Sequence, residues 1–256
     1  MRALAPVVVL LVLAGCAAPA VDEDPRPLEP RRIELAMSGC DIVELFVPVD
    51  AATARPHVPP GFALAESNGR LNVVFGASVC GGVGGRAYIA IPVEPEDPAL
   101  ADPQVARHYW EPEHVLVQGD AFADAMAVLN ATTTPGQLEV LAGAPRAEAT
   151  VRGEGWEHVL ASVGGAAPAS APVGIPGVFR EWFAAEGGYG YLEAAFGASP
   201  VGGFAGTLRA GEGTPTRALV GAETAPLPGV AFHGVALEGA VAGFVPYDAS
   251  SARAAR

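Results

Sequence analysis

The chain has 256 residues, half of them hydrophobic, and a formal charge of −13 at pH 7. An acidic excess of that size excludes a nucleic-acid-binding protein, which needs a basic face, and works against adhesion to anionic lipid surfaces. All 15 cationic side chains are arginine, so no lysine is present to form a Schiff base or to act as a general base.

Residues 1–15 run from a basic Arg2 through an apolar stretch, Val7 to Leu13, into Ala14 and Gly15 ahead of Cys16. This is the order of an export signal, and the apolar stretch is shorter than the roughly 20 residues a membrane-spanning helix needs. Leu13-Ala14-Gly15-Cys16 resembles the lipobox of bacterial lipoproteins. The resemblance implies that 1–15 is a signal peptide, that Cys16 carries palmitate-type acyl chains, and that the protein is tied to a membrane of the cell envelope. Ala17, rather than Asp, after the cysteine resembles the sorting pattern for the outer membrane, which places the domain in the periplasm or on the outer face. An ordinary signal peptide with an incidental cysteine is the alternative. Residues 16–33 are rich in proline and charge and are expected to form a disordered tether.

The remaining chain, 34–248, shows no internal boundary and reads as one β-rich domain, followed by a disordered tail at 249–256. Gly (32) and Pro (24) are abundant, and apolar residues come in short runs between turn residues. Strands are predicted over Cys40–Val49, Leu71–Val79 and Arg86–Val93, with a short helical turn capped by Asp50 and cut off by Pro56. Glu94–Pro103 reads as a loop and His108–Gln118 as extended. Asp120 is the expected cap of a helix with Phe122, Met126 and Leu129 on one face. Two strands follow over Ala144–Arg152 and Trp156–Val163. A second helix is predicted from Pro176, with Phe179, Trp182 and Phe183 on one face and a stop at Gly187–Gly188. About four strands are expected from Tyr189 to Val245. The fold class is therefore α+β, mostly β.

Cys40 and Cys80 are left as one pair if Cys16 is lipidated. In an oxidising compartment they are expected to form a disulfide, and two separate buried thiols are the alternative.

The order of these parts resembles the acetoacetate decarboxylase-like superfamily. It is carried by the first strand with its "VPVDAATAR" turn, the "PPGF" that follows, the mid-chain helix and the "GAPRAEA" strand. The resemblance implies an antiparallel β-barrel or cone with a few short helices around an apolar cavity. In the decarboxylases of that family a Gly-aromatic-Pro-Lys-Lys segment supplies the Schiff-base lysine. The matching segment here is Gly143-Ala144-Pro145-Arg146-Ala147, and arginine cannot form the imine. What the resemblance leaves is a cavity with a fixed positive charge suited to a carboxylate.

The densest polar cluster is Arg107 to His114. In a regular strand Trp110 and His114 would share one face, with Tyr109, Glu111 and Glu113 on the other; the cluster would form a pocket rim or simply a barrel-mouth strand with solvated charges. Arg146 and Glu148, two apart in a strand, face either the cavity floor or the outer surface together. The candidate pocket is therefore Arg146, Glu148, Trp110, Glu111 and His114. His108 and His114 lack a zinc-site spacing, so no metal is expected. The glycine-rich Cys80–Gly85 stretch is read as a turn, so no nucleotide is expected either and no cofactor is implied. No serine sits in a nucleophile elbow, no catalytic set stands out, and His233 is read as a satisfied core or pocket histidine. Three functions remain: a module binding a small acidic or amphipathic molecule, an enzyme of lyase or hydratase type using carboxylates and histidine, and a structural envelope protein. No protein partner can be named.

Overall fold

The structure, a computed structural model, describes residues 31–66, 70–98, 100–117, 120–143, 145–165, 177–196, 201–235 and 237–246. Cys16, the leader, most of the tether and the tail lie outside them. In chain order the strands are β1 (Arg31–Leu35), β2 (Ser38–Val49), β3 (Phe62–Leu64), β4 (Leu71–Gly81), β5 (Gly84–Pro95), β6 (Val105–Val117) and β7 (Thr134–Leu141). They continue with β8 (Glu148–Gly153), β9 (Trp156–Ser162), β10 (Val178–Ala185), β11 (Gly188–Phe196), β12 (Val201–Arg209), β13 (Leu227–Val235) and β14 (Leu237–Pro246). The helices are α1 (Ala51–Ala54), α2 (Ala121–Val128) and α3 (Pro215–Val220). No helix among the described residues is long and apolar enough to cross a membrane.

All the strands belong to one sheet, and its pairings turn back on themselves. Strand β6 pairs with β5 along one edge; along the other, its first half pairs with β10 and its last residues with β7, both in parallel. From β7 the pairing runs antiparallel through β8, β9, β12, β13, β2 and β4 back to β5. That ring is the cone-like wall, and β10, β11, β14 and β1 extend from β6 as a wing. Among the described residues, the expected antiparallel wall has parallel pairing only along one edge of β6.

Strand alternation sorts the apolar residues onto two faces. Val43, Leu45, Val47, Val73, Phe75, Ala77, Ala87, Ile89, Ile91, Ala149 and Val151 point inward and fill the ring. The opposite face of the wall contributes Ile42 and Leu116 to a second core, which takes Phe122 and Met126 from α2 and Phe183, Leu192 and Phe244 from the wing. Where both faces are covered, as in β4 and β5, the strands read as nearly continuous apolar runs, whereas β7 and β12 alternate. Cys40 and Cys80, on β2 and β4, form the expected disulfide within the second core.

Three local expectations are corrected. The segment read as a second helix is β10: it buries Trp182 on one face and Phe183 on the other, so apolar residues on two strand faces mimic helical spacing, and Gly187 (φ 76°) makes the β10–β11 turn instead of stopping a helix. The helical turn after Asp50 ends at Ala54 as expected, and Pro56 sits in the 3-10 turn Arg55–His57 that follows it. The side chains of Asp50 and Asp120 make no cap hydrogen bond; the Asp120 carboxylate instead accepts Gly85 N–H at 3.0 Å, tying α2 to β5. Arg31, Arg32 and Ile33, assigned to the tether, are paired in β1 with β14.

Candidate functional site

The two ends of the ring differ. At one end α3 packs Leu219 onto the inner core. Thr214 caps α3, accepting Arg217 N–H at 3.1 Å. Glu113, facing inward from β6, accepts both the backbone N–H (3.0 Å) and the hydroxyl of Thr216. His158 Nε2 lies 3.5 Å from the same oxygen, while its Nδ1 accepts Gly211 N–H at 3.0 Å. Burial opposes ionisation of Glu113, but the hydrogen bonds from His158 and Thr216 outweigh it and hold the carboxyl below its usual range. Both groups of Thr216 and the His158 ring are engaged with one buried carboxylate, so this group ties α3 to the ring end.

The other end is open. The β7–β8 connection and the adjoining ends of β2 and β13 form a groove of about 350 Å³, lined by Asp41, Val140, Leu141, Ala142, Gly143, Pro145, Arg146 and His233. Its floor is apolar, since Ala142 belongs to the inner core and Val140 packs against it. Arg146 is exposed, and no carboxylate among the described residues pairs with it. A cation standing over an apolar floor can hold a carboxylate by paired, charge-assisted hydrogen bonds.

A third polar group lies outside the ring, between the wall and the wing. Arg86 (β5) binds Glu111 (β6) at 3.1 Å and Glu181 (β10) through a shorter contact. Its guanidinium stacks on Tyr88 at 4.1 Å, and the Tyr88 hydroxyl donates to Glu44 (β2) at 2.8 Å. His114 Nδ1 lies 3.0 Å from Glu111 Oε2, with the ring packed against Phe122 and Phe183. Three carboxylates thus face one guanidinium in a dry space. Burial, with Glu111 and Glu44 nearby, pushes the Glu181 carboxyl up to about 8 against the pull of Arg86. Burial likewise raises Glu44, opposed by Tyr88 and Arg86. Burial works against the Arg86 charge, yet Glu181 and Glu111 hold it more firmly protonated than usual.

The five residues of the predicted pocket are not brought together. A register shift in β6 is the reason: Ile89 faces Glu113 but Ile91 faces Trp110, so β6 carries one residue more than β5 over this stretch. The bulge reverses the alternation. Trp110 lies in the inner core against Phe62 and Tyr189, whereas Glu111 and His114 face outward into the Arg86 network. Trp110 and His114 therefore lie on opposite faces, and so do Glu111 and Glu113, against the regular-strand expectation. Arg146 and Glu148 do not form a pair at a cavity floor, because Ala147, Ala149 and Val151 take the inward positions. Arg146 lines the open mouth and Glu148 is half-buried on the outer side of β8. His233, read as a core or pocket histidine, is an exposed residue of the mouth, beside Asp41. The sequence reading missed Glu44, Arg86, Tyr88, Glu181, Asp41, His158 and Thr216. A charged residue inside an apolar strand, as in "IVELFV" or "GRAYIAI", was the available signal.

No family model matches the chain, and no curated protein matches it. Solved structures do. An acetoacetate decarboxylase-like enzyme from Sphingomonas wittichii RW1 superposes with a TM-score of 0.52 at 11% identity, over 81% of this chain and 89% of that one. Acetoacetate decarboxylase from Legionella pneumophila gives a TM-score of 0.53 at 11% identity, over 94% and 96%. The enduracididine biosynthesis enzyme MppR, solved with pyruvate, gives 0.51 at 16% identity, over 85% and 89%. The chain therefore has the acetoacetate decarboxylase-like fold, as the order of its parts implied.

Proposed function

We propose that the protein is an envelope lipoprotein, anchored through lipid on Cys16, whose barrel mouth binds a small amphipathic molecule bearing a carboxylate. The observation that carries this reading is the Arg146 guanidinium, with which no carboxylate among the described residues pairs, beside the apolar floor of Val140 and Ala142. The ring interior is filled by side chains, so the ligand sits at the mouth and is not enclosed. A lysine imine is not part of its chemistry, since the chain has none. That MppR was solved with pyruvate supports a small acid as the ligand class in this fold.

The test is calorimetric titration of straight-chain carboxylic acids into the full chain carrying Cys16→Ser for solubility. Charge-assisted hydrogen bonds are worth roughly 1.5–3 kcal/mol, so Arg146→Gln should weaken binding at least about tenfold. Acids that fail to bind, or that bind Arg146→Gln as well as the parent, would refute the proposal.

A second reading, an enzyme using carboxylates and histidine, is favoured by the fact that these neighbours are enzymes. It requires turnover of some carboxylic acid, lost on substitution of Glu148, Glu111 or His114 in a protein that still folds. Unchanged turnover in all three variants would remove that residue assignment.

A further inference from the structure

Strand β13 leaves its regular pairing where it reaches the mouth. Phe232 faces Ile42 and Val235 faces Cys40, so His233 and Gly234 together oppose Asp41. Such a bulge re-aims a side chain, and Gly234, at φ 63°, supplies the left-handed conformation that a residue with a Cβ resists. The displaced His233 side chain joins the lining of the groove. Asp41 Oδ1 accepts Gly234 N–H at 2.9 Å and lies 2.8 Å from His233 Nδ1. One carboxylate oxygen thus fixes both the bulge and the ring.

The contact with Asp41 assigns the ring proton of neutral His233 to Nδ1. Nε2 then carries a lone pair and no hydrogen, and no described residue is placed to donate to it. An acceptor of this kind takes a hydroxyl and gains nothing from a carbonyl, which has no proton to give. Arg146 has the complementary property: it only donates. The groove therefore offers a donor fork and a single acceptor beside an apolar floor.

We propose that the ligand is a hydroxy acid whose carboxylate is held by Arg146 and whose hydroxyl donates to His233 Nε2, with Asp41 as the positioning residue. This rests on the reading of the groove as a carboxylate site and adds the second group that the ligand must carry. A site built to pair a hydroxyl discriminates against analogues that lack one, because its own polar group is then left without a partner. The groove is open to solvent and water competes for Nε2, so the discrimination is modest.

The experiment compares a six-carbon straight-chain acid with its hydroxy derivatives and their oxo counterparts, titrated by calorimetry at pH 8 into the full chain carrying Cys16→Ser. At least one hydroxy acid should bind roughly fivefold tighter than both the parent acid and its oxo form. His233→Phe should erase that preference, read as the ratio of hydroxy-acid to parent-acid affinity within the variant, whereas Arg146→Gln should weaken all of the acids together. Nitrogen-15 spectra of the histidine rings provide a readout that needs no ligand. His233 should show a protonated Nδ1 and an unprotonated Nε2, and Asp41→Ala should convert it to a mixture of tautomers. Equal binding of hydroxy, oxo and parent acids would overturn the hydroxyl assignment while leaving the carboxylate site standing. A dominant Nε2–H tautomer in the unsubstituted chain would overturn it too. If no acid binds at all, the carboxylate site and the hydroxyl assignment fall together.

Discussion

Replacing Glu181 by glutamine removes one of three buried carboxyls that face Arg86 and keeps the shape of the protonated acid. Glu181 in the folded protein has its carboxyl pushed up to about 8 from an ordinary 4.5. The folded state thus holds a proton that the unfolded chain has already released. The stability tied to that proton is fully present below pH 4.5, declines as the pH rises, and is lost once the pH passes about 8. At 1.36 kcal/mol per pH unit, the interval from 4.5 to about 8 corresponds to a ceiling of about 5 kcal/mol. The attraction of Arg86 is already contained in that value, and relaxation around the site lowers the figure; a change of about 2 kcal/mol or more is expected. The assay is urea unfolding of the parent and Glu181→Gln at intervals from pH 5 to pH 9. The two should be similar in stability near pH 5, and the glutamine variant should become progressively the more stable of the two as the pH rises. A difference between them that stays constant over this range, or that changes in the opposite direction, would refute the account of the network.

The Cys40–Cys80 bond closes a loop spanning 40 residues of separation, and the chain-entropy relation gives it roughly 3–4 kcal/mol. The double variant Cys40→Ala/Cys80→Ala should lose about that much in urea unfolding, and the unfolded, unreduced Cys16→Ser chain should show no reactive thiol. Thr216→Val removes the hydroxyl donated to Glu113 and should destabilise the protein by about 1–3 kcal/mol, with faster hydrogen exchange confined first to α3. A Cβ on Gly76 would fall 2.2 Å from the Tyr88 ring. Gly76→Ala should therefore displace Tyr88 from Glu44 and lower stability by roughly 1–3 kcal/mol, visible as a changed tyrosine absorbance titration.

Much of the wall was legible along the chain because its determinants are local. Alternation and β-branched runs mark β2, β4, β5, β8 and β9, and helical spacing marks α2 through Phe122, Met126 and Leu129. The mid-chain order of strand, turn, helix and strand was enough to suggest the fold. The site was much less legible. Glu111 and His114 stood out in the sequence, yet their direction depended on a bulge in β6 that only its pairing with β5 reveals. Glu181 was hidden inside a segment whose Phe179, Trp182 and Phe183 fall at helical spacing, although Trp182 and Phe183 are buried on opposite faces of a strand. Glu44, Arg86 and Glu181 come from β2, β5 and β10, and nothing in their local sequence announces that they meet.

The sequence by itself determined the absence of lysine, the acidic balance, the mostly β class and the pairing expected of Cys40 with Cys80. These follow from composition and short-range pattern, which each segment carries regardless of its neighbours. Only the tertiary structure decided that Arg146 stands at an open mouth, that Glu148 lies on the outer side, and that His233 is turned toward the groove beside Asp41. Those are questions of register: a one-residue shift in β6 or β13 moves a side chain from one face of the wall to the other, and the shift is set by a partner strand distant in sequence.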